Sequence, residues 1–499
     1  MPSLFNKVIF QSLNNSFIKS KEKDAFYING KFYTYSNFIQ VISKIRFAVQ
    51  THTRHEEKIV GLILNDDIET YASIIALWFE GKAYVPINLD NPVYRNEKII
   101  QHANICTIIN SGEKTSFSNC NEIFPKNVSD VNIDLLPLSV SDNEIAYIFF
   151  TSGTTGEPKG VPIKRYNVAS FINSFEKLKL DINEEDKVLQ MFDLTFDLSV
   201  MSFLMPMLKG ACIYTIPRNV IKFNYIIEMI EEHNITVALM VPSILHYLRK
   251  YFDEISAPNM KYNLFCGEAL HLDIIAEWSK CIPNAEIFNV YGPTENTIFC
   301  TSYHYNRNSS NKEYNGILSI GKPMWGVITI IVDDQNSILP HGERGELCLA
   351  GEFLTPGYWK NEERNKEAFF FCEYNGEKTR FYKTGDLCVQ DIEGDIMYLG
   401  RIDFQTKIQG YRVELSEIEF HAKRFINTIN LVALAITNNI GNNEIAMVFE
   451  SNQFDTTELF KYMAIKLPAY MIPTKWIFEI QFPLNTNGKI DRKILVARF

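Results

Sequence analysis

What this sequence lacks narrows its possibilities first. Its nine cysteines are scattered, odd in number and never spaced as C-x-x-C. That argues against a disulfide framework or a zinc site and for reduced thiols in a cytosolic protein. Excess positive charge is missing too: 49 basic residues face 59 acidic ones, for a net charge of −10. No global basic field draws such a chain to nucleic acid or to an anionic membrane. The most apolar stretch, around Leu198 to Leu208, is too short to cross a bilayer. Met1-Pro-Ser-Leu-Phe-Asn-Lys7 has no charged segment followed by an apolar core, so no secretory leader is expected. Internal repeats and low-complexity linkers are also absent. What is present, 46% hydrophobic and 22% charged residues over 499 positions, is the composition of a soluble globular protein with room for several domains.

Short apolar segments alternate with amphipathic ones along most of the chain. Asn29-Gly30 between Ala25–Asn29 and Lys31–Tyr35 predicts a hairpin, followed by a helix capped by Ser36. Strands are expected at Lys58–Leu64, Ala83–Ile87 and Cys106–Ile109, with a helix over Ile68–Glu80. Val168, Phe171, Ile172, Phe175 and Leu178 form a helical stripe. Further strands are expected at Val188–Phe192, Ala211–Thr215, Thr236–Val241, Leu264–Phe265 and Glu286–Val290. This alternation predicts an α/β protein with largely parallel, covered sheets. Beyond about residue 315, Gly/Pro-bounded strands such as Thr329–Val332, Gly345–Ala350 and Asp395–Leu399 suggest a smaller β-rich subdomain. The last hundred or so residues restart the pattern with a helix over Glu414–Arg424 and a strand over Leu431–Thr437. The boundary is placed near Gly400-Arg-Ile-Asp403.

One stretch organises the rest. Ile145–Phe150 reads as a buried strand and runs into Thr151-Ser-Gly-Thr-Thr-Gly-Glu-Pro-Lys-Gly160, too irregular for helix or strand. Its glycines free backbone N–H groups to turn toward a ligand and its hydroxyls add donors, so it can wrap a polyphosphate. It is not a Walker A loop, because Lys159 is followed by Gly160. Taken alone it reads more readily as an ordinary flexible surface loop. Asn289-Val-Tyr-Gly-Pro-Thr-Glu295 offers a flat ring and a turn that presents an acid, suited to magnesium beside phosphates. Phe381-Tyr-Lys-Thr-Gly-Asp-Leu387 places an acid after a glycine turn, where it can accept from ribose hydroxyls or simply stabilise the turn. Tyr398-Leu-Gly-Arg-Ile-Asp403 through Gly410-Tyr-Arg-Val-Glu414, and Asn485-Thr-Asn-Gly-Lys-Ile-Asp491, complete the set.

In this order along one chain, these motifs resemble the adenylate-forming superfamily of acyl-CoA synthetases, luciferase and peptide-synthetase adenylation domains. Phe196-Asp-Leu-Ser-Val-Met201, Phe265-Cys-Gly-Glu268, Asp403-Phe-Gln-Thr-Lys407, Gly410–His421 and Leu467-Pro-Ala-Tyr-Met-Ile-Pro473 look most like the free-standing D-alanine–carrier protein ligases. The resemblance implies a large N-terminal adenylation domain (residues 1–401) of αβ-layered subdomains plus a β-rich subdomain. A small mobile α+β C-terminal domain (402–499) would carry the catalytic Lys489. It implies ATP and Mg²⁺, with Thr151, Ser152, Gly153, Thr154, Thr155 and Lys159 on the phosphates. Asn289, Val290, Tyr291, Gly292, Pro293 and Thr294 would hold adenine and the α-phosphate, Glu295 the metal, and Asp386, Tyr398, Gly400 and Arg401 the nucleoside. Lys489 would bridge the substrate carboxylate and the α-phosphate, and Asp403 would be the hinge between two half-reactions.

For the substrate, the resemblance places Asp197 in a pocket with Leu198, Met201, Leu239, Cys266, Leu264, Val290, Ile298 and Phe299. A carboxylate there demands a cation, which an amino acid's ammonium supplies; an Asp capping a helix start is the alternative. Bulky neighbours favour an alanine-sized side chain, and D-alanine leads. The product would be aminoacyl-AMP, then a thioester on the phosphopantetheine of a separate carrier protein, as in teichoic acid esterification. The carrier is expected to act in trans, because the sequence runs only ten residues past Lys489. A cytoplasmic monomer that neither enters membranes nor binds nucleic acid is expected. Two alternatives stay open: a stand-alone peptide-synthetase-type enzyme for another small amino acid, or a ligase joining fatty or aryl acids to coenzyme A. From another class comes a silent nucleotide-binding protein, against which Lys489, Glu295 and Asp386 together argue.

Overall fold

A computed structural model describes residues 3–129, 135–153, 156–218, 220–403, 405–484 and 490–499. Its largest sheet has nine strands, in the order Lys322–Pro323, Thr301–His304, Glu286–Tyr291, Tyr262–Phe265, Val237–Met240, Lys187–Gln190, Cys212–Thr215, Asp24–Ile28 and Lys31–Thr34. From Glu286–Tyr291 to Asp24–Ile28 every pairing is parallel. These strands are apolar on both faces, as covered parallel sheets require. A second sheet of six strands carries Ile59–Ile63, Ala83–Ile87 and Ile145–Thr151 in its parallel part and closes with the antiparallel Lys159–Lys164.

Between them lies the helix Ile68–Phe79, buried at every position but Glu69 and capped by the Asp67 carboxylate on the Thr70 N–H. A helix apolar all round belongs inside a core. A third, five-stranded antiparallel sheet contains Val327–Val332, Arg344–Gly351, Phe369–Tyr374, the long Glu377–Gln390 and Ile396–Arg401. One hydrophobic cluster joins all three sheets, including Ile213, Tyr147 and Leu349. The chain then makes a hairpin, Gln405–Ile408 with Tyr411–Glu414, and a three-stranded sheet of Leu431–Thr437, Asn443–Glu450 and Lys475–Glu479. That sheet has its own core: Leu431 and Ala433 face the helices Leu415–Phe425 and Thr457–Lys466, while Val432 and Leu434 face Phe482 and Leu495.

The α/β expectation holds, and most expected elements appear within a few residues of their bounds; Leu431–Thr437 matches at both ends. Three readings need correction. The helix after the hairpin is Tyr35–His52, capped by Thr34 rather than Ser36, because Asn37 returns a hydrogen bond to Thr34 and closes a capping box. Lys159-Gly160 is not loop: it begins a strand whose Lys159 pairs with Thr151. Gly385-Asp386 is no turn either. It sits inside the strand Glu377–Gln390, where the register shifts against both neighbouring strands and Gly385 takes φ +73°. A Cβ there would lie 2.5 Å from Arg401 Nη2, so glycine serves close approach as well as an irregular pleat.

The indole of Trp78, wholly buried on the central helix, donates to the Ala146 carbonyl at 2.9 Å and meets Phe5 edge-on. Trp78→Ala should cost about 3–5 kcal/mol of stability by opening a cavity in the shared core. A urea-denaturation midpoint equal to that of the wild type would contradict this placement.

Candidate active site

The site lies where strands of the three sheets end. Thr151 ends one strand ahead of Ser152, Cys266 and Gly267 follow a second, Tyr291 ends a third ahead of Gly292, and Asp386 and Arg401 come from the antiparallel sheet. Ligands of open α/β sheets gather at such carboxyl ends. A cavity of about 260 Å³ opens there, lined by Thr151, Ser152, Asp197, Leu198, Cys266, Ile298, Asn289 through Thr294, Asp386, Tyr398 and Arg401. Gly292 cannot carry a side chain, since its Cβ would stand 2.4 Å from the Phe299 Cα. Asn289 spends its amide donors on the carbonyls of Leu318 and Ser319, which fixes the strand end. Asp386 accepts from the Tyr291 hydroxyl and from Arg401 (2.9 Å), whose guanidinium also grips Asp403 through Nε and Nη2.

Asp197 is the first residue of the helix Asp197–Lys209, whose cap position is Phe196, so the capping alternative falls. Burial pushes its carboxyl up to about 6, against a hydrogen bond with Thr294. Its Oδ2 has no hydrogen-bond partner among the described residues. Cys266 is buried beside it, its thiol pushed up to about 12 by burial.

The hairpin Gln405–Glu414 enters this cavity from the other side, adding Lys407, Tyr411 and Arg412 to the lining. At its tip Gln409 and Gly410 both have positive φ, the geometry of a tight hairpin turn. Gly410 N–H donates to Glu268 Oε1 at 2.8 Å, and a Cβ at Gly410 would collide with Val241 at 2.6 Å. Tyr411 stacks on Tyr470 with ring centres 4.0 Å apart. Arg412 Nη1 reaches both oxygens of Glu295, at 3.0 and 2.8 Å, and the Tyr358 hydroxyl donates to the same carboxylate at 2.6 Å. Burial alone would raise the Glu295 carboxyl, but Arg412 and Lys159 hold it at about 2. Lys159 pairs with Glu414 at 3.2 Å, and burial together with Arg412 brings its ammonium down to about 8.

Several predicted residues stand apart from the cavity. Met201, Leu239, Leu264 and Phe299 are buried in the core and do not line it. Lys159, Gly400, Asp403 and Glu295 also lie outside the lining, Lys159 and Glu295 being engaged by the hairpin. Thr154, Thr155 and Lys489 fall outside the described residues. Sequence reasoning missed Arg95, Glu268, Gln405, Lys407, Arg412, Glu414 and Glu417 as site residues. Gln409-Gly410 between alternating residues was the available hairpin signal.

A family model described as AMP-binding enzyme matches residues 15–359. The chain belongs to the AMP-binding enzyme family. Tyrocidine synthase 3 of Brevibacillus parabrevis is 31% identical over 473 residues, covering 93% of this chain and 7% of that protein. Gramicidin S synthase 1 of Brevibacillus brevis is 31% identical over 451 residues, covering 88% of this chain and 40% of that protein. The chain thus spans a minor part of the length of these curated relatives. The Vibrio cholerae adenylation domain AlmE, solved with glycyl-adenosine-5'-phosphate, shares the fold with a TM-score of 0.85 at 24% identity, over 98% of this chain and 97% of that one. A four-domain nonribosomal peptide synthetase bound to AMP and glycine gives a TM-score of 0.71 at 26% identity, over 97% of this chain and 36% of that one.

AMP-binding adenylation enzymes use ATP with Mg²⁺. The residues present fit both. Thr151 Oγ1 is buried with no hydrogen-bond partner among the described residues, and Thr151, Tyr291 and Asp386 all line the cavity, where they could hold a nucleotide. For magnesium the donor set is a single carboxylate, which suits an ion that keeps phosphate oxygens and waters. Glu295 can serve it only when Arg412 lets go.

Glu295→Gln would leave Arg412 and Lys159 buried with weakened pairing, at a cost of about 3–5 kcal/mol near neutral pH. The Glu295 carboxyl is held below its ordinary 4.5, at about 2. Its contribution is therefore full above pH 4.5 and is lost as pH falls toward 2. Urea midpoints of wild type and variant should differ most above pH 4.5 and converge below it. A constant gap across that range would count against the pairing.

Proposed function

We propose that this adenylate-forming enzyme activates a small amino acid, with D-alanine favoured, and passes it to the phosphopantetheine thiol of a separate carrier protein. The observation that carries the reading is Asp197: a buried carboxylate in the cavity lining, bonded to Thr294, with one oxygen that has no partner among the described residues. An ammonium answers that need; a fatty or aryl acid bound for coenzyme A leaves the carboxylate unpaired. Leu198, Val290, Ile298 and Cys266 line the same cavity and favour an alanine-sized side chain. The solved synthetase bound to AMP and glycine agrees with a site for nucleotide and small amino acid.

In the first half-reaction the amino-acid carboxylate attacks the α-phosphorus of ATP. The new O–P bond forms as the bond to the bridging oxygen breaks, and pyrophosphate leaves with the electron pair. The carboxylate is already ionised, so no general base is needed. Magnesium, when bound, offsets phosphate charge, and Glu295 would hold it. Lys489 would bridge carboxylate and α-phosphate, lowering the repulsion between two anions. In the second half-reaction a thiolate attacks the acyl carbonyl, the C–S bond forms, and AMP departs. Residues 402–499 would form the moving domain, with Asp403 as hinge. The inserted hairpin and the Tyr411–Tyr470 wall suit the second step. Cys266 would face the methyl of the wrong enantiomer, and a cytoplasmic setting fits the reduced thiols.

Amino-acid-dependent ATP–pyrophosphate exchange tests the reading across D-alanine, L-alanine, glycine, fatty acids and aryl acids. Exchange with D-alanine above the rest supports it; exchange only with acids lacking an amino group overturns it. Lys489→Ala should reduce exchange by orders of magnitude while nucleotide binding persists, and near-normal exchange would remove Lys489 from its role.

Asp197 must be ionised to hold an ammonium. With its carboxyl at about 6, the KM for the amino acid at saturating ATP should rise below pH 6, approaching tenfold per pH unit. Asp197→Asn should bind the amino acid poorly at every pH and lack this acid limb. A variant that keeps both the affinity and the limb would place the ammonium elsewhere.

A further inference from the structure

Two tyrosines of the six-stranded sheet carry hydroxyls that the fold leaves unused. Tyr84 and Tyr147 stand opposite one another on the parallel strands Ala83–Ile87 and Ile145–Thr151, with ring centres 5.7 Å apart. Both side chains are buried, and neither hydroxyl has a hydrogen-bond partner among the described residues. Phenylalanine would fill the same space without burying a polar group, so each hydroxyl costs stability unless something answers it. Tyr147 stacks on Phe149 at 4.5 Å, two residues on along the same face of its strand, and Tyr84 meets Phe149 edge-on at 6.0 Å. Phe149 and Asp197 both line the cavity, which puts the two phenols in the layer behind its wall. The Asp197 charge reaches them there: burial first, and then that charge, push both phenols well up. Asp197 brings an oxygen of its own, Oδ2, with no partner among the described residues. The other groups that act on this carboxylate are Thr294, Lys407 and Glu295, and the Cys266 thiol lies within its field.

Three such oxygens in one apolar shell match the needs of a single buried water, which makes about three hydrogen bonds. It would donate to Asp197 Oδ2 and to one phenol oxygen, and accept from the O–H of the other phenol. We propose that Tyr84 and Tyr147 are positioning residues for the substrate's ammonium, sharing a buried water with Asp197 and fixing its carboxylate from behind the cavity wall. This deepens the functional reading and rests on its assignment of Asp197 to the ammonium. A carboxylate oxygen has two lone pairs, so a water on one leaves the other for the ammonium. Neither tyrosine touches the reacting atoms. The ammonium is held alike before and during attack on the α-phosphorus, so loss of a hydroxyl weakens amino-acid binding without slowing turnover.

Tyr84→Phe and Tyr147→Phe test this, because they remove the hydroxyls and keep the rings that pack the core. In ATP–pyrophosphate exchange with D-alanine, each should raise the KM for the amino acid about tenfold, with kcat and the KM for ATP within about twofold of wild type. In an Asp197→Asn background the same substitutions should add less than about twofold, since the group they act through is already altered. Urea midpoints of both single variants should fall, because each removal strands the remaining oxygens. Three results each overturn the water-linked pair while sparing the functional reading. They are an unchanged amino-acid KM, an equal further loss in the Asp197→Asn background, and urea midpoints at or above that of the wild type. An Asp197→Asn variant with the wild-type KM for the amino acid overturns both.

Discussion

Glu295 is fully buried, and its charge is tolerated there because Arg412 grips both its oxygens while Tyr358 donates to one. A buried charge without a partner costs several kcal/mol, on the order of 3–5 once a pair is broken. Much of the junction between the large sheets and the C-terminal segment follows from that constraint. Arg412 needs Glu295, Lys159 needs Glu414, and Arg95 needs Glu417. Each pair joins a residue before 300 to one after 410. Such contacts supply position more than stability, because the same groups packed as apolar residues would hold as well.

The hairpin itself is built for entry. Gln409 and Gly410 turn the chain in two residues, and Glu268 receives the tip by accepting from Gly410 N–H while its other oxygen accepts from Ser243 N–H. The collision a Cβ at Gly410 would make with Val241 explains why glycine stands there. Tyr411 stacks on Tyr470 and Phe196 meets Tyr411 edge-on, making one aromatic wall. Aromatic rings give contact area with few torsions to freeze.

How much of this was legible in the sequence depends on the reach of each interaction. Leu431–Thr437 and Ile145–Phe150 announce themselves through runs of apolar residues, a local signal. The Asn29-Gly30 turn does so through a residue pair with one physical use. Gly385-Asp386 carries the same chemistry as a turn, and only the neighbouring strands make it an irregularity within a longer strand. Arg412 and Glu417 were beyond reading because their partners lie 117 and 264 residues away. Asp197 was legible as an acid among apolar residues, whereas Met201, four residues on along the same helix, turned out to be core. One acid in an apolar run is a chemical anomaly; one more methionine is not.

What the inserted hairpin leaves free is as telling as what it takes. Tyr291, Tyr398 and Asp386 still line the cavity, and Asp197 Oδ2 still lacks a partner among the described residues. Lys407 enters the same cavity with its ammonium disfavoured by burial and by Arg412, yet no ion pair joins it to Asp197 among the described residues. On the proposed assignment, adenosine and the ammonium of an amino acid keep their partners in this arrangement, while Gly153, Lys159 and Glu295 are engaged. A ligand that fits both conditions has a nucleoside monophosphate at one end and an amino group at the other, with no polyphosphate tail. An aminoacyl-adenylate answers that description and ATP does not. On that proposal, the arrangement of charges separates the two half-reactions by which end of the ligand remains.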